Sequence, residues 1–311
     1  MLDWLAHTLL LGSFYAAIGV GFSLYFGTMR LINLSHGDVL TFGAFSALIF
    51  SNAFGPIQGV TGLVIILGAS LIAGFILGAI IEYIAFRRIR ESESFILLLT
   101  SVAVSIILRE GLALIYPNGA NPHPFPDPFQ KSFIVLGKFQ IKTSVVITIS
   151  LLAVCVVALA LVIRKTNLGR KMRAVAQDSQ AAAMIGINVD RIMTITFAVA
   201  SALVCMTGCL YGTVYEVIKY DMGLLLGLRG FAAAALGGIH RIEGGILGGF
   251  LLAAMELGSA RILPGGSGYR DVVVFTVLIL VLATRPRGIL GKPKKDIQTS
   301  ISRQSRESQA L

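Results

Sequence analysis

Charge is scarce in this chain of 311 residues, where Asp, Glu, Lys and Arg make up only 14% of positions. A soluble domain carries about 25%, so the shortage excludes an ordinary water-soluble globule. Cysteine is scarcer still. Cys155, Cys205 and Cys209 all lie inside apolar runs, with no CxxC pair and no Cys/His spacing, so they are expected to be small core residues without a disulfide. The four histidines, His7, His36, His123 and His240, are too scattered to suggest a metal site. The chain lacks G-x-x-x-x-G-K-[ST], which excludes a nucleotide site of the P-loop kind. It also lacks a nucleophile elbow, zinc spacing, paired catalytic carboxylates and a G-x-G-x-x-G turn. An enzyme would have no chemistry to stand on, and the chain is expected to bind no cofactor or metal of its own.

Apolar residues, by contrast, fill 55% of the chain, and its mean hydropathy is +0.82. The reading is an all-α, polytopic helical membrane protein. A crossing helix needs about 20 apolar residues. On that measure the spans are residues 4–26, 39–54, 60–86, 94–116, 143–163, 191–217, 222–239, 244–263 and 271–284. Segment 222–239 is rich in Gly and Ala and reads as poorly formed. The count is therefore about eight or nine transmembrane helices, with discontinuous or re-entrant segments. The N-terminus has no basic n-region and carries Asp3, so the first apolar run is expected to remain as a span.

The net charge of +10 is topological in origin. Arg87, Arg88 and Arg90 follow the third span. Arg164, Lys165, Arg170, Lys171, Arg173 and Arg191 surround a long central loop, and Arg285, Arg287, Lys292, Lys294, Lys295, Arg303 and Arg306 follow the last span. Basic loops mark the cytoplasmic side, so the N-terminus is expected outside and the C-terminus inside, with an odd number of crossings. Residues 1–291 read as one transmembrane domain and 292–311 as a basic, disordered cytoplasmic tail. Loop 117–142 is the long external one: "YPNGANPHPFPDPFQKSF" holds five prolines and cannot be helical.

Glycine pairs at small-xxx-small spacing (Gly74/Gly78, Gly208/Gly212, Gly223/Gly227, Gly244/Gly248 and Gly245/Gly249) predict close helix packing, within the chain or at a dimer seam. "GDVLTFGAFSALIF" (37–50) resembles "GGILGGFLLAAMEL" (244–257). Each follows a break, which suggests pseudo-symmetric halves.

Polar residues inside apolar surroundings carry most of the functional information. Asn33, Ser35, His36, Gly37 and Asp38 interrupt the first two spans. One reading is a cytoplasmic turn with Asp38 capping the next helix. The other is a discontinuous helix bordering a translocation route. Glu82, Arg109, Glu110, Glu216, Arg229, Glu256, Arg261, Arg270 and Asp271 also lie in or near spans, where such residues pair or face a cavity. Asp271 reads as the cap of the last helix. In the central loop, Gly169 and Gly186 bracket "RKMRAVAQDSQAAAMI", a run of good helix formers. Met172, Val175, Ala176, Ala183 and Met184 would give that helix one sticky face, suited to a membrane surface or a soluble partner.

Three stretches in order, "INLSHGDVLTFGAF", "LGRKMRAVAQDSQAAAMIGINVDRI" and "GFAAAALGGI…GGILGGFLLAAMELG…GYRDVVVFTVLILVLATRPRGILG", resemble the permease subunit of branched-chain amino acid ABC importers. That resemblance implies a multi-pass subunit of the bacterial inner membrane. It would be partnered by a second homologous permease, two ATP-binding subunits and a periplasmic or lipid-anchored substrate-binding protein. ATP would be used by the partners. The coupling motif E-A-A-x-x-x-G is matched by Gln180, Ala181, Ala182 and Gly186, with Gln in place of Glu, and Arg173 lies just before it. Asn33, Ser35, His36, Gly37 and Asp38 would form one hinge or lining element, and the region of Arg229, Gly237 and Gly238 its counterpart. The alternatives are an importer of the same type for urea, short amides or another small polar solute, and a self-contained secondary transporter or channel.

Overall fold

The computed structural model describes residues 2–30, 32–55, 58–129, 132–136, 139–262, 268–285 and 287–291. The tail expected to be disordered lies outside the described residues. The chain order is α1 (Leu2–Met29), α2 (His36–Phe54) and α3 (Gly59–Ile81), the last extended by a π-helical turn at Glu82–Phe86. Then come α4 (Ser94–Ile115), β1 (His123–Pro124), β2 (Phe133–Leu136), β3 (Phe139–Lys142) and α5 (Thr143–Lys165). Two short helices follow, α6 (Asn167–Gln177) and α7 (Ser179–Met184). The chain ends with α8 (Val189–Tyr215), β4 (Val217–Ile218), α9 (Met222–Gly237), α10 (Ile242–Ile262) and α11 (Arg270–Thr284).

Among the described residues, seven helices are long and apolar enough to cross a membrane: α1, α2, α3 with its π turn, α4, α5, α8 and α10. The segment read as poorly formed is a regular helix, α9, but with 16 residues it spans only about 24 Å. Helix α11, with 15 residues, is equally short. The nine run alternately between two ends of the bundle. One end carries the α6–α7 pair, and the other carries the β2–β3 hairpin with the small β1–β4 pairing.

Helices α1 and α8 form the centre and are buried along most of their length, while α4 and α5 keep most of their surface exposed. Small residues explain the close approach. Gly245 and Gly249 of α10 abut Gly19 and Ala16 of α1, and Gly74 and Gly78 of α3 abut Cys205 and Ser201 of α8. Gly208 sits on the Leu40 carbonyl, and Gly223 and Gly227 meet Gly37. The glycine pairs thus pack within the chain, where backbone proximity supplies the van der Waals contact that lipid cannot out-compete. Helix α9 is clasped between Gly37 of α2 and Gly244 and Gly248 of α10, so the two similar segments both lay glycines on it. Phe14, Phe22, Tyr25, Phe86 and Phe197 fill the remaining core volume.

Several local expectations are corrected. Helix α2 begins at His36, so His36, Gly37 and Asp38 are helical and the break is confined to residues 30–35. Asp38 does not cap it: its carboxylate accepts from Ser105 instead. Asp271 does not cap α11 either, being engaged by Arg229. The central amphipathic segment is two helices rather than one, because the Asp178 carboxylate accepts from the backbone N–H groups of Gln180 and Ala181 and starts a second helix there. The proline-rich loop is non-helical as expected, but it is partly seated in the bundle: Phe125 is buried, and β1 pairs with β4.

Candidate permeation and coupling sites

Three polar sites stand out. The first is the break between α1 and α2. Helix α1 ends at Met29, and Arg30 just beyond it has a left-handed φ of 54°. The Asn33 carboxamide oxygen then accepts from the Ser35 backbone N–H (3.1 Å) and hydroxyl (2.6 Å), a side-chain turn that replaces helix bonding. Ser101 of α4 accepts the Leu34 N–H at 3.2 Å, and Ser105, one turn further on the same face, donates to Asp38. Asn33, Ser35, His36 and Asp38 are all fully buried. His36 sits edge-on between Phe22 (4.8 Å) and Tyr25 (5.0 Å), directly over Gly21. Only glycine fits there, since a Cβ on residue 21 would lie 2.2 Å from the imidazole. The second Asp38 oxygen, Oδ1, has no hydrogen-bond partner among the described residues.

The second site is a charge network midway along α1, α9 and α10. Arg229 donates to Tyr15 (3.1 Å), Glu256 (3.2 Å) and Asp271 (2.6 Å), and Tyr15 in turn donates to Glu256 at 2.7 Å. These bonds offset the desolvation that three charges at bilayer depth would otherwise suffer. The sequence marks Arg229, Glu256 and Asp271 as residues that pair or face a cavity but does not assign their partners. Sequence reading missed Tyr15, whose position in an unbroken apolar run gave no polar signal. Arg229 is not joined to the Asn33–Asp38 group directly. The two connect through Phe22, which meets both His36 and Phe231 (5.6 Å). Gly237 and Gly238 lie further along, at the α6–α7 end. Gly238 has a φ of 114°, and the backbone at Gly288 crosses it closely.

The third site is the α6–α7 end. Met172, Val175 and Ala182 turn inward onto Ile192 and Met193 of α8, forming a small apolar cluster. Ala183 and Met184, expected on the same sticky face, point away: Met184 and Ile185 are 87% and 75% exposed. Gln180 and Ala181 are exposed with them, whereas Ala182 is buried. Gly186, at φ 83°, turns the chain out of α7, a conformation that favours glycine. Arg173 donates back to the Ile163 carbonyl and so ties α6 to the end of α5. Beside α7 lies a cleft of 540 Å³, lined among others by Arg30, Arg90, Asp178, Gln180 and Asp190. Beneath it, buried Glu82 in the π turn accepts from Arg87 (3.3 Å), Arg90 and Thr194 (2.6 Å), and Arg90 also pairs with Asp190 at 2.7 Å. The segment after the third span is thereby fastened to the start of α8.

Residues 4–282 match the family model described as "Branched-chain amino acid transport system / permease component". The chain is 33% identical over 292 residues to the high-affinity branched-chain amino acid transport system permease protein LivH of Salmonella typhimurium, covering 91% of this chain and 93% of that one. It is 34% identical over 304 residues to BraD of Pseudomonas aeruginosa, a permease protein of the same description, covering 94% and 96%. A more distant likeness, 27% over 231 residues, is to the autoinducer 2 import system permease protein LsrC of Photorhabdus luminescens, covering 71% and 63%. With its alternating helices, polar break and exposed α6–α7 pair, this multi-pass membrane protein belongs to the branched-chain amino acid transport permease family.

Proposed function

We propose that the chain is the transport subunit of an ATP-driven importer for leucine, isoleucine, valine or a closely related solute. It would work beside a second permease, two ATPases and an external binding protein. The observation that carries this reading is the α6–α7 pair. It is packed against α8 on one side and leaves Met184, Ile185 and Gln180 uncovered on the other. A chain of this family without its own P-loop requires a place to receive mechanical work, and an exposed apolar knob on a rigid base is such a place. The basic residues Arg87, Arg88, Arg90, Arg164, Lys165, Arg170, Lys171, Arg173, Arg241, Arg285 and Arg287 lie at the α6–α7 end. This supports a cytoplasmic α6–α7 end and C-terminus, and an outer N-terminus.

Work on α7 would pass through the Glu82–Arg90–Asp190 fastening to α3 and α8. The Asn33–Asp38 break and the glycine contacts of α9 would provide the movable element that switches access. Purification of the tagged chain from its native membrane, with mass spectrometry and uptake of labelled leucine in proteoliposomes, tests the reading. Recovery of an ATPase and a second permease, with ATP-dependent uptake, is expected. Uptake by the chain alone without nucleotide would overturn it. The likeness to autoinducer 2 permeases favours one second reading, another small polar cargo on the same machinery, and a panel of solutes in the same assay decides between them.

A further inference from the structure

The turn between α9 and α10 opens onto a cleft of 630 Å³, within the range of about 300–1,000 Å³ typical of small-molecule sites. It is lined by Gly238, His240 and Arg241 of that turn and by Arg287, Leu290 and Gly291 of the segment after α11. Among the described residues that line it there is no carboxylate. The two segments meet where Gly288 packs on the Gly238 backbone, so two guanidinium groups from distant parts of the chain share one hollow. His240 faces Phe26 of α1 edge-on at 4.8 Å, and it feels the charges of both Arg287 and Arg30.

A second cavity of 250 Å³ shares His240 and Arg241 with the first. Leu24, Ile163, Met172 and Ile242 contribute apolar surface to it, and Arg164 and Arg173 contribute charge. Glu243 is the one carboxylate among the described residues lining either cavity. It is divided between Arg164 and Arg241, the latter at 3.5 Å through Nε. Positive charge is therefore in excess. Basic residues scattered over a cytoplasmic face follow from topology alone. These instead line a concave surface at the ends of α1, α9 and α10, where low-dielectric walls concentrate the potential. A basic pocket between helix ends on the cytoplasmic side suits an anionic headgroup.

We propose that this cleft binds a phosphate group, that of an anionic phospholipid of the cytoplasmic leaflet. Arg241 and Arg287 donate to its oxygens. The smaller cavity, with its mixed apolar and basic lining, receives the glycerol end. The shared anion joins two like charges that otherwise repel across the cleft, and so ties the segment after α11 to the α9–α10 turn. The choice of leaflet rests on the topology above. The site itself is independent of the cargo.

Arg241 and Arg287 are both exposed, so their replacement does not disturb the packed core. The full-length chain is exchanged into micelles containing dioleoylphosphatidylglycerol, dioleoylphosphatidylcholine, or the latter with inorganic phosphate. Lipid retention is read by native mass spectrometry and stability by the melting temperature. Phosphatidylglycerol is expected to be retained about tenfold or more tightly than phosphatidylcholine, and to raise the melting temperature. Arg241→Gln with Arg287→Gln should abolish that preference, and each change alone should remove part of it. Arg88→Gln with Arg285→Gln takes the same charge from the same end but from outside both cavities, and should keep the preference. If the double variant does not fold, the two single variants decide. Equal retention of both lipids by the wild type overturns the proposal. So does an undiminished preference in the cleft variants, and so does an equal loss in the Arg88/Arg285 control, which would make the effect one of diffuse charge. Stabilisation by inorganic phosphate with no further gain from phosphatidylglycerol would give the cleft to soluble phosphate and overturn the lipid assignment.

Discussion

Glu82 is the residue on which the α6–α7 end depends most. It is fully buried and answers two arginines and Thr194. Removing one partner of such a cluster strands the other charges, at a cost of about 3–5 kcal/mol. Glu82→Ala should therefore lower thermal stability in detergent sharply, and Glu82→Gln, which keeps an acceptor for Thr194, should do so less. His240, between α9 and α10, offers a pH signature. Burial first, then the nearby Arg287 and Arg30, hold its imidazole below the ordinary 6.5. The unfolded chain then takes up the proton first as pH falls, so the stability His240 contributes is present above about pH 6.5 and is lost on acidification below it. His240→Gln should show a smaller drop in unfolding temperature than wild type between about pH 7.5 and 5.5. The charged residues themselves were legible in the sequence as functional or paired. Their partners were not, because Tyr15 and Glu256 lie 241 positions apart and Asp38 and Ser105 lie 67 apart. No local spacing rule reaches that far.

Among the elements, the long apolar helices were readable from composition to within a few residues, since a span needs little more than length and hydropathy. The α6–α7 region was readable as amphipathic but not as two helices. The division hangs on Asp178, an N-cap residue hidden in a run of helix formers. That division also decides which apolar side chains face outward. Met184 and Ile185 are free because α7 starts afresh and turns its Ala182 side inward. Met184→Asp should therefore leave the permease folded and inserted, yet reduce recovery of the ATPase subunits on affinity purification. Unchanged recovery would remove α7 from the docking surface. Helix α9 reads as poorly formed in the sequence because it is rich in Gly and Ala. Glycines at 223 and 227 are what let α2 come close, and a Cβ on Gly37 would fall 2.1 Å from the Gly223 carbonyl oxygen.

Taken as a whole, the bundle has two chemically unlike ends, and its orientation can be checked directly. Cys205 and Cys209 are buried and Cys155 is only half-exposed, so background labelling should be low. A cysteine introduced at Gln180 should react with a membrane-impermeant maleimide in inverted vesicles but not in intact cells. One introduced at exposed Asn121 should behave oppositely. The reverse pattern would invert the proposed topology. The proposed orientation rests on the charge asymmetry of the sequence. The seating of the proline-rich loop was not readable there, because β1 finds its partner strand only after α8.

After α11 the chain doubles back, and the backbone N–H groups of Ile289 and Leu290 bond the carbonyls of Leu236 and Gly237 at 2.9 and 3.0 Å. Two residues near the carboxyl end thus act as a buckle on the last turn of α9. Stopping translation after residue 285 would spare every membrane-crossing helix and still leave those carbonyls unanswered. A protein shortened there should insert normally but lose transport and become easier to cleave near residue 238, whereas one ending after residue 291 should match the full chain.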